Sequence, residues 1–112
     1  MACGELDTIV RLGMPLTIVQ FTNRAYGWIK ILQKLYYSGR YLSVDFTAPT
    51  DAVKIAEGFG MVARRVERAE EVGEAIRFAI AAERPVFLEI PTPLEHDEVP
   101  PVRAWLKDSD LW

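Results

Sequence analysis

Leu16-Thr17-Ile18-Val19-Gln20-Phe21 is an uncharged run of strand length, and Thr22 leads it into Asn23-Arg24-Ala25-Tyr26-Gly27. A helical pattern begins at Trp28, with Ile31, Leu32 and Leu35 on one face. A buried strand that turns through a short loop into a helix is the repeating unit of open α/β sheets. Such sheets bind ligands outside the C-terminal ends of their strands. A loop of this composition can offer a side-chain amide oxygen and a backbone carbonyl to a hard cation such as magnesium. Asn and Gly are also the commonest turn residues, so a turn without a ligand accounts for the same letters.

Helices and strands alternate on both sides of this stretch. Upstream, Leu6, Ile9 and Val10 fall at helical spacing over residues 4–12, and Gly13 supplies a stop. Downstream, the helix of residues 28–37 ends at Ser38-Gly39-Arg40, and residues 41–50 are irregular. Pro49 and Thr50 are expected to open a helix through Ala52, Val53, Ile55, Ala56 and Phe59, closed by Gly60. Residues 61–66 predict a short strand. Glu70 and Glu71 then favour the positive end of a helix whose apolar stripe is Val72, Ala75, Ile76 and Ala79. Arg84 and Pro85 end that helix. Val86-Phe87-Leu88-Glu89-Ile90 predicts a third strand, buried on both faces except at Glu89.

Strands separated by helices imply parallel crossovers, hence an α/β fold of three layers, α/β/α, on a parallel sheet. Three strands are few for such a sheet, so the sequence predicts part of a larger one. Residues 1–93 read as the domain and residues 94–112 as a Pro-rich acidic tail with Trp105 and Trp112 near its end.

The 112 residues suit one domain, and half of them are hydrophobic. A formal net charge of −3 and a pI of about 5.1 argue against a nucleic-acid surface. Arg64, Arg65 and Arg68 interleave with Glu67, Glu70 and Glu71 and read as a solvated face. The single cysteine, Cys3, allows no internal disulfide, and its catalytic pairing with His96, the only histidine, is not expected. No apolar run has the length of a membrane span and no signal peptide is visible, so the expected location is cytoplasmic. His96, Asp97 and Glu98 could be invoked as a metal cluster, but a solvated acidic linker accounts for them. Tyr36, Tyr37 and Tyr41 read as helix-end packing, with a contact surface as the alternative.

Several segments, in order, resemble one family. They are Glu5-Leu6-Asp7-Thr8, Leu12-Gly13-Met14-Pro15-Leu16, Phe21-Thr22-Asn23-Arg24-Ala25-Tyr26-Gly27-Trp28, Gln33, Asp45-Phe46, residues 55–60 and residues 84–90. Together they resemble the C-terminal cofactor domain of thiamine-diphosphate-dependent enzymes of the acetolactate synthase group. The resemblance implies thiamine diphosphate anchored through Mg2+ or a calcium ion. The ion's protein ligands in that family are an Asp carboxylate from a Gly-Asp-Gly motif, an Asn side-chain oxygen and a backbone carbonyl two residues later. Carried onto this chain, the metal ligands are Asn23 and the carbonyl of Ala25. The cofactor-binding loop comprises Asn23, Ala25, Tyr26 and Gly27.

The departures matter as much. The sequence holds no Gly-Asp-Gly, and Thr22 stands where the family commonly has a second Asn. Arg24 places a cation beside the loop, to contact phosphate or to face solvent. The glutamate that activates the cofactor in the resembled family lies on a separate pyrimidine-binding domain. The expectation is therefore a partial thiamine-diphosphate-binding fold, truncated at its N-terminus and lacking its first strands. It would carry no catalytic residue of its own and be inactive alone, with a homo-oligomer or a complementary chain as partner. The alternatives are a small subunit that completes a site with a partner chain, and a non-catalytic interaction module retaining the fold. The substrate is not legible.

Overall fold

The computed structural model describes residues 3–48 and 50–93. Along the chain it forms α1 (Glu5–Arg11), β1 (Thr17–Thr22), α2 (Gly27–Tyr36), α3 (Ala52–Gly58), β2 (Val62–Arg65), α4 (Ala69–Ala81) and β3 (Val86–Pro91). The order matches the sequence pattern. Gly13, at φ +60°, and Gly60, at φ +92°, turn the chain out of α1 and α3 in the left-handed region that glycine tolerates. Element ends shift by a residue or so from expectation, and the start of α3 has an identifiable cause. The residue that caps α3 is Asp51, whose carboxylate accepts the Lys54 N–H at 3.3 Å.

The described residues fall into two units, 3–22 with 50–91, and 23–48 with 92–93. The first unit holds the sheet. Its order is β1-β3-β2, with β3 parallel to both neighbours. The central position explains the composition of β3. Val86, Phe87, Leu88 and Ile90 are all buried, as an apolar strand covered on both faces must be. Val86, Leu88 and Ile90 point to α4, where Ala75 and Ala79 let the helix approach and Val72 and Ile76 flank them. Phe87 points the other way, with Ile18 and Ala63, against Leu6 and Ile9 of α1 and Ala56 and Ile55 of α3. This unit is the expected α/β/α arrangement.

Two expectations fail for one reason, the position of each residue in the sheet. β1 is paired only with β3, so among the described residues it is an edge strand. Phe21 is 68% exposed, and Val19 and Gln20 are exposed too, whereas the sequence predicted a buried strand. Glu89, expected to be the exposed residue of β3, is only 5% exposed. The β-strand register places Arg65 beside it, and the Arg65 Nε–H donates to Glu89 Oε2 at 2.8 Å. A second guanidinium N–H of Arg65 donates to Asp51 at 3.2 Å. Arg65 is therefore a partner of a buried carboxylate, not part of a solvated face. Its hydrogen bond to Glu89 holds the guanidinium protonated above its ordinary range.

This network generates two expected outcomes. Arg65→Ala is expected to destabilise the fold more than Glu89→Gln. The first leaves a buried carboxylate unpaired, while the second leaves an arginine that keeps Asp51 and water. Urea denaturation of both variants checks this, and equal losses would contradict it. The backbone N–H of Lys54 holds the Asp51 carboxyl below its ordinary value; Lys54 and Arg65 charges assist, and desolvation opposes. A depressed carboxyl stabilises the fold above its unfolded value of about 3.9 and loses that contribution as pH falls through the lower folded value. Wild type should therefore exceed Asp51→Asn in stability at neutral pH, and the gap should close on acidification below about pH 4. A gap that is unchanged in strong acid would contradict the assignment.

Candidate functional site

Asn23 succeeds the last residue of β1, and the loop it opens is built by local hydrogen bonds. Asn23 Oδ1 accepts the Ala25 N–H at 3.2 Å, an Asx turn. Arg24 makes the bend at φ +55°, and its side chain is exposed. Ala25 then pairs with Asp45 in an isolated antiparallel bridge. Its two hydrogen bonds run from Tyr26 N–H to the Val44 carbonyl, at 2.8 Å, and from Phe46 N–H to the Arg24 carbonyl, at 2.9 Å. Both flank the Ala25–Asp45 pair, so the bridge itself does not use the Ala25 carbonyl.

The loop is clamped by α2 and by the segment that returns after it. Ala25, Gly27 and Val44 are buried. The Tyr26 and Phe46 rings meet edge to face at 4.8 Å, a favoured aromatic geometry, although Tyr26 is more than half exposed. Gln33 uses both ends of its amide on Leu42: its oxygen accepts the Leu42 N–H at 2.8 Å and its nitrogen donates to the Leu42 carbonyl at 3.2 Å. On the first turn of α2, Lys30 is only 6% exposed. Its ammonium donates to Asp45 Oδ1 at 2.6 Å and lies 5.1 Å from the centroid of the Tyr41 ring. Tyr37 and Tyr41 are both exposed, so helix-end packing describes them only in part.

All four residues expected from the sequence to form the cofactor loop, Asn23, Ala25, Tyr26 and Gly27, therefore occupy one turn at the start of α2. In donor type, the Asn23 side-chain oxygen and the Ala25 carbonyl suit a hard divalent ion. Asn23 Oδ1 keeps a second lone pair beyond the bond it accepts. Among the described residues, no group of three or more His, Cys, Asp or Glu side chains is placed to hold a metal. The loop thus offers two neutral oxygens. His96, Asp97 and Glu98 lie outside the described residues, as does the 94–112 tail.

Sequence reasoning missed Lys30 and, although Asp45 stood in the Asp45-Phe46 segment of the resemblance, it missed the pairing of the two. They are fifteen positions apart, and no periodicity links them. The one signal was an oddity, a lysine among Ile29, Ile31 and Leu32. A separate feature belongs to the sheet unit. A cavity of about 560 Å³ beside β1 is walled by Leu6, Ile9, Ile18, Ala52, Ile55 and Phe87. Cys3, exposed and free, stands at its lining. Among the described residues no helix is long and apolar enough to cross a membrane.

Comparison with known proteins places the chain in a family. The profile of the family described as "Thiamine pyrophosphate enzyme, C-terminal TPP binding domain" matches residues 1–90. The chain is 39% identical, over 80% of its length, to a probable acetolactate synthase large subunit of Methanococcus aeolicus. It is 34% identical, over 99% of its length, to the acetolactate synthase large subunit of Corynebacterium glutamicum. It is 31% identical, over 80% of its length, to the mitochondrial acetolactate synthase catalytic subunit of Saccharomyces cerevisiae. The chain spans 15%, 18% and 13% of those proteins, respectively. The chain belongs to the thiamine pyrophosphate enzyme family and corresponds to its C-terminal cofactor-binding domain. Thiamine diphosphate and Mg2+ are the cofactors that membership implies.

Proposed function

From that membership we propose that the chain is part of a thiamine-diphosphate-dependent enzyme of the acetolactate synthase type, a transferase or lyase acting on 2-oxo acids by decarboxylation and carboligation. Its share of the work is the cofactor anchor. Asn23 Oδ1 and the Ala25 carbonyl would ligate Mg2+, and the backbone of Tyr26 and Gly27 would lie beside the diphosphate. The observation that carries this reading is the loop itself: an Asx turn and a β-bridge fix both oxygens, yet the bridge's hydrogen bonds do not use the Ala25 carbonyl. When bound, thiamine diphosphate supplies the carbanion chemistry, and the protein's part is to bind, orient and activate it. The residues of this chain bind and orient.

The 112 residues contain no Gly-Asp-Gly. An anionic ligand and the activating glutamate of the resembled family would therefore come from other parts of the enzyme, on the same polypeptide or on another. Residues 1–93 form the domain portion in this reading and residues 94–112 a tail, and the location is cytoplasmic. The edge of β1 favours a partner. Thr17-Ile18-Val19-Gln20-Phe21-Thr22 carries no charge and no proline, the devices that blunt an exposed edge.

Calorimetry on the purified 112-residue chain should show no micromolar binding of thiamine diphosphate with Mg2+. Two neutral oxygens lack the charged ligand that sets affinity, so the ion itself should bind at about millimolar concentration. The same chain should form no acetolactate from pyruvate. Micromolar cofactor binding, or acetolactate above an Asn23→Ala control, would contradict this division of labour. In sedimentation at micromolar concentration the chain should self-associate through β1. A stable monomer whose β1 amides exchange rapidly would show that water tolerates the bare edge.

A further inference from the structure

Lys30 needs an explanation that the fold alone does not supply. A lysine is almost never fully buried unless paired, and this one lies in the first turn of α2 at 6% exposure. Its two donor groups point to the same place by different routes. The Lys30 backbone N–H donates to the Tyr26 carbonyl at 2.9 Å, and its ammonium donates to Asp45 at 2.6 Å. Asp45 faces Ala25 across the bridge as the pair not hydrogen-bonded to each other, the arrangement that brings side chains closest. The links therefore close a ring: Ala25 to Asp45 by the bridge, Asp45 to Lys30 by the ion pair, Lys30 to Tyr26 by the helix hydrogen bond, and Tyr26 to Ala25 by the chain.

We propose that Lys30 and Asp45 are positioning residues that hold Asn23 Oδ1 and the Ala25 carbonyl in the geometry that receives a divalent ion. This rests on the reading of residues 23–27 as the ion-binding loop. Asp45 acts through the loop and is not itself a ligand, because the Lys30 ammonium already neutralises its carboxylate. The ring also places bonds on both sides of the left-handed Arg24, which over-determine the bend. Removal of an outer partner that orients a metal ligand commonly costs ten- to hundredfold in metal affinity.

The test uses the isotope-labelled 112-residue chain, titrated with Mn2+ and followed by line broadening of the Asn23, Ala25 and Tyr26 amides. Hydrogen exchange at Tyr26 and Phe46 reports the bridge, and exchange at Leu88 reports the sheet. Asp45→Asn and Lys30→Met should each raise the Mn2+ concentration for half-broadening about tenfold or more. They should also speed exchange at Tyr26 and Phe46 while leaving Leu88 protected, and Lys30→Arg should restore wild-type behaviour. Unchanged Mn2+ response and exchange in both variants would overturn the proposal. So would tighter binding in Lys30→Met, which would make Asp45 a ligand set free, and so would loss of Leu88 protection in Asp45→Asn, which would make its role general stability. If Mn2+ broadens none of the loop amides in wild type, the ion-loop reading fails and this inference fails with it. If Asn23→Ala abolishes broadening while Asp45→Asn leaves it intact, only this inference fails.

Discussion

Parallel pairing of the strands governs everything else in the sheet unit. β3 runs parallel to both β1 and β2, and parallel strands cannot be joined by a tight turn. Each must be returned by a crossover, which commits the sequence between them to helices. The crossovers put α4 on one face of β3 and α3 on the other, where α1, which precedes β1, joins it, so β3 has no wet face and its letters are apolar. Parallel strands also end at the same side of the sheet, which is why the residues just beyond them are free to specialise. The loop that begins at Asn23 continues directly from the end of β1.

Buried charge recurs in both units under the same rule. Glu89 sits in the middle of the apolar strand and is tolerated because Arg65, one strand away in register, donates to it. Lys30 sits in an apolar stretch of α2 and is tolerated because Asp45 accepts from it. In each pair one partner is almost wholly buried and the other is partly open to solvent. A pair of this kind contributes little net stability against a well-packed apolar substitute, and breaking it from the exposed side costs more than its presence gives. What it supplies is a fixed geometry. For Glu89 and Arg65 that geometry ties β2 and β3 to the cap of α3 through Asp51. For Lys30 and Asp45 it ties the oxygens of the candidate loop to the first turn of α2.

The local physics of the elements was legible in the sequence. Apolar spacing placed α1, α2 and α4, the glycines marked two helix ends, and the run from Val86 announced a strand covered on both sides. The resemblance named Asn23, Ala25, Tyr26 and Gly27, which chain connectivity alone holds in the one turn that leads into α2. The features that were not legible depended on partners distant in sequence. Glu89 was read as exposed because a carboxylate in a strand predicts solvent unless its cation is known, and Arg65 is twenty-four residues away. The side chains of β1 were read as buried from their apolar letters, but Val19, Gln20 and Phe21 are exposed; its edge position among the described residues agrees with a fold that lacks its first strands. The start of α3 was read from Pro49 and Thr50; Pro49 lies outside the described residues, and the capping hydrogen bond of Asp51 sets the boundary. The pairing of Lys30 with Asp45 could have been found only by asking why a lysine interrupts the apolar run of residues 28–32.

The proposed role of the chain depends on its presenting a divalent ion with the side-chain oxygen of Asn23 and the carbonyl of Ala25. Anomalous diffraction from crystals of the chain soaked in Mn2+ shows directly whether it does. A peak is expected at about 2.2 Å from both oxygens, between the distances typical of Mg2+ and Ca2+. A peak bound elsewhere, with the loop unchanged and bare, would contradict that role.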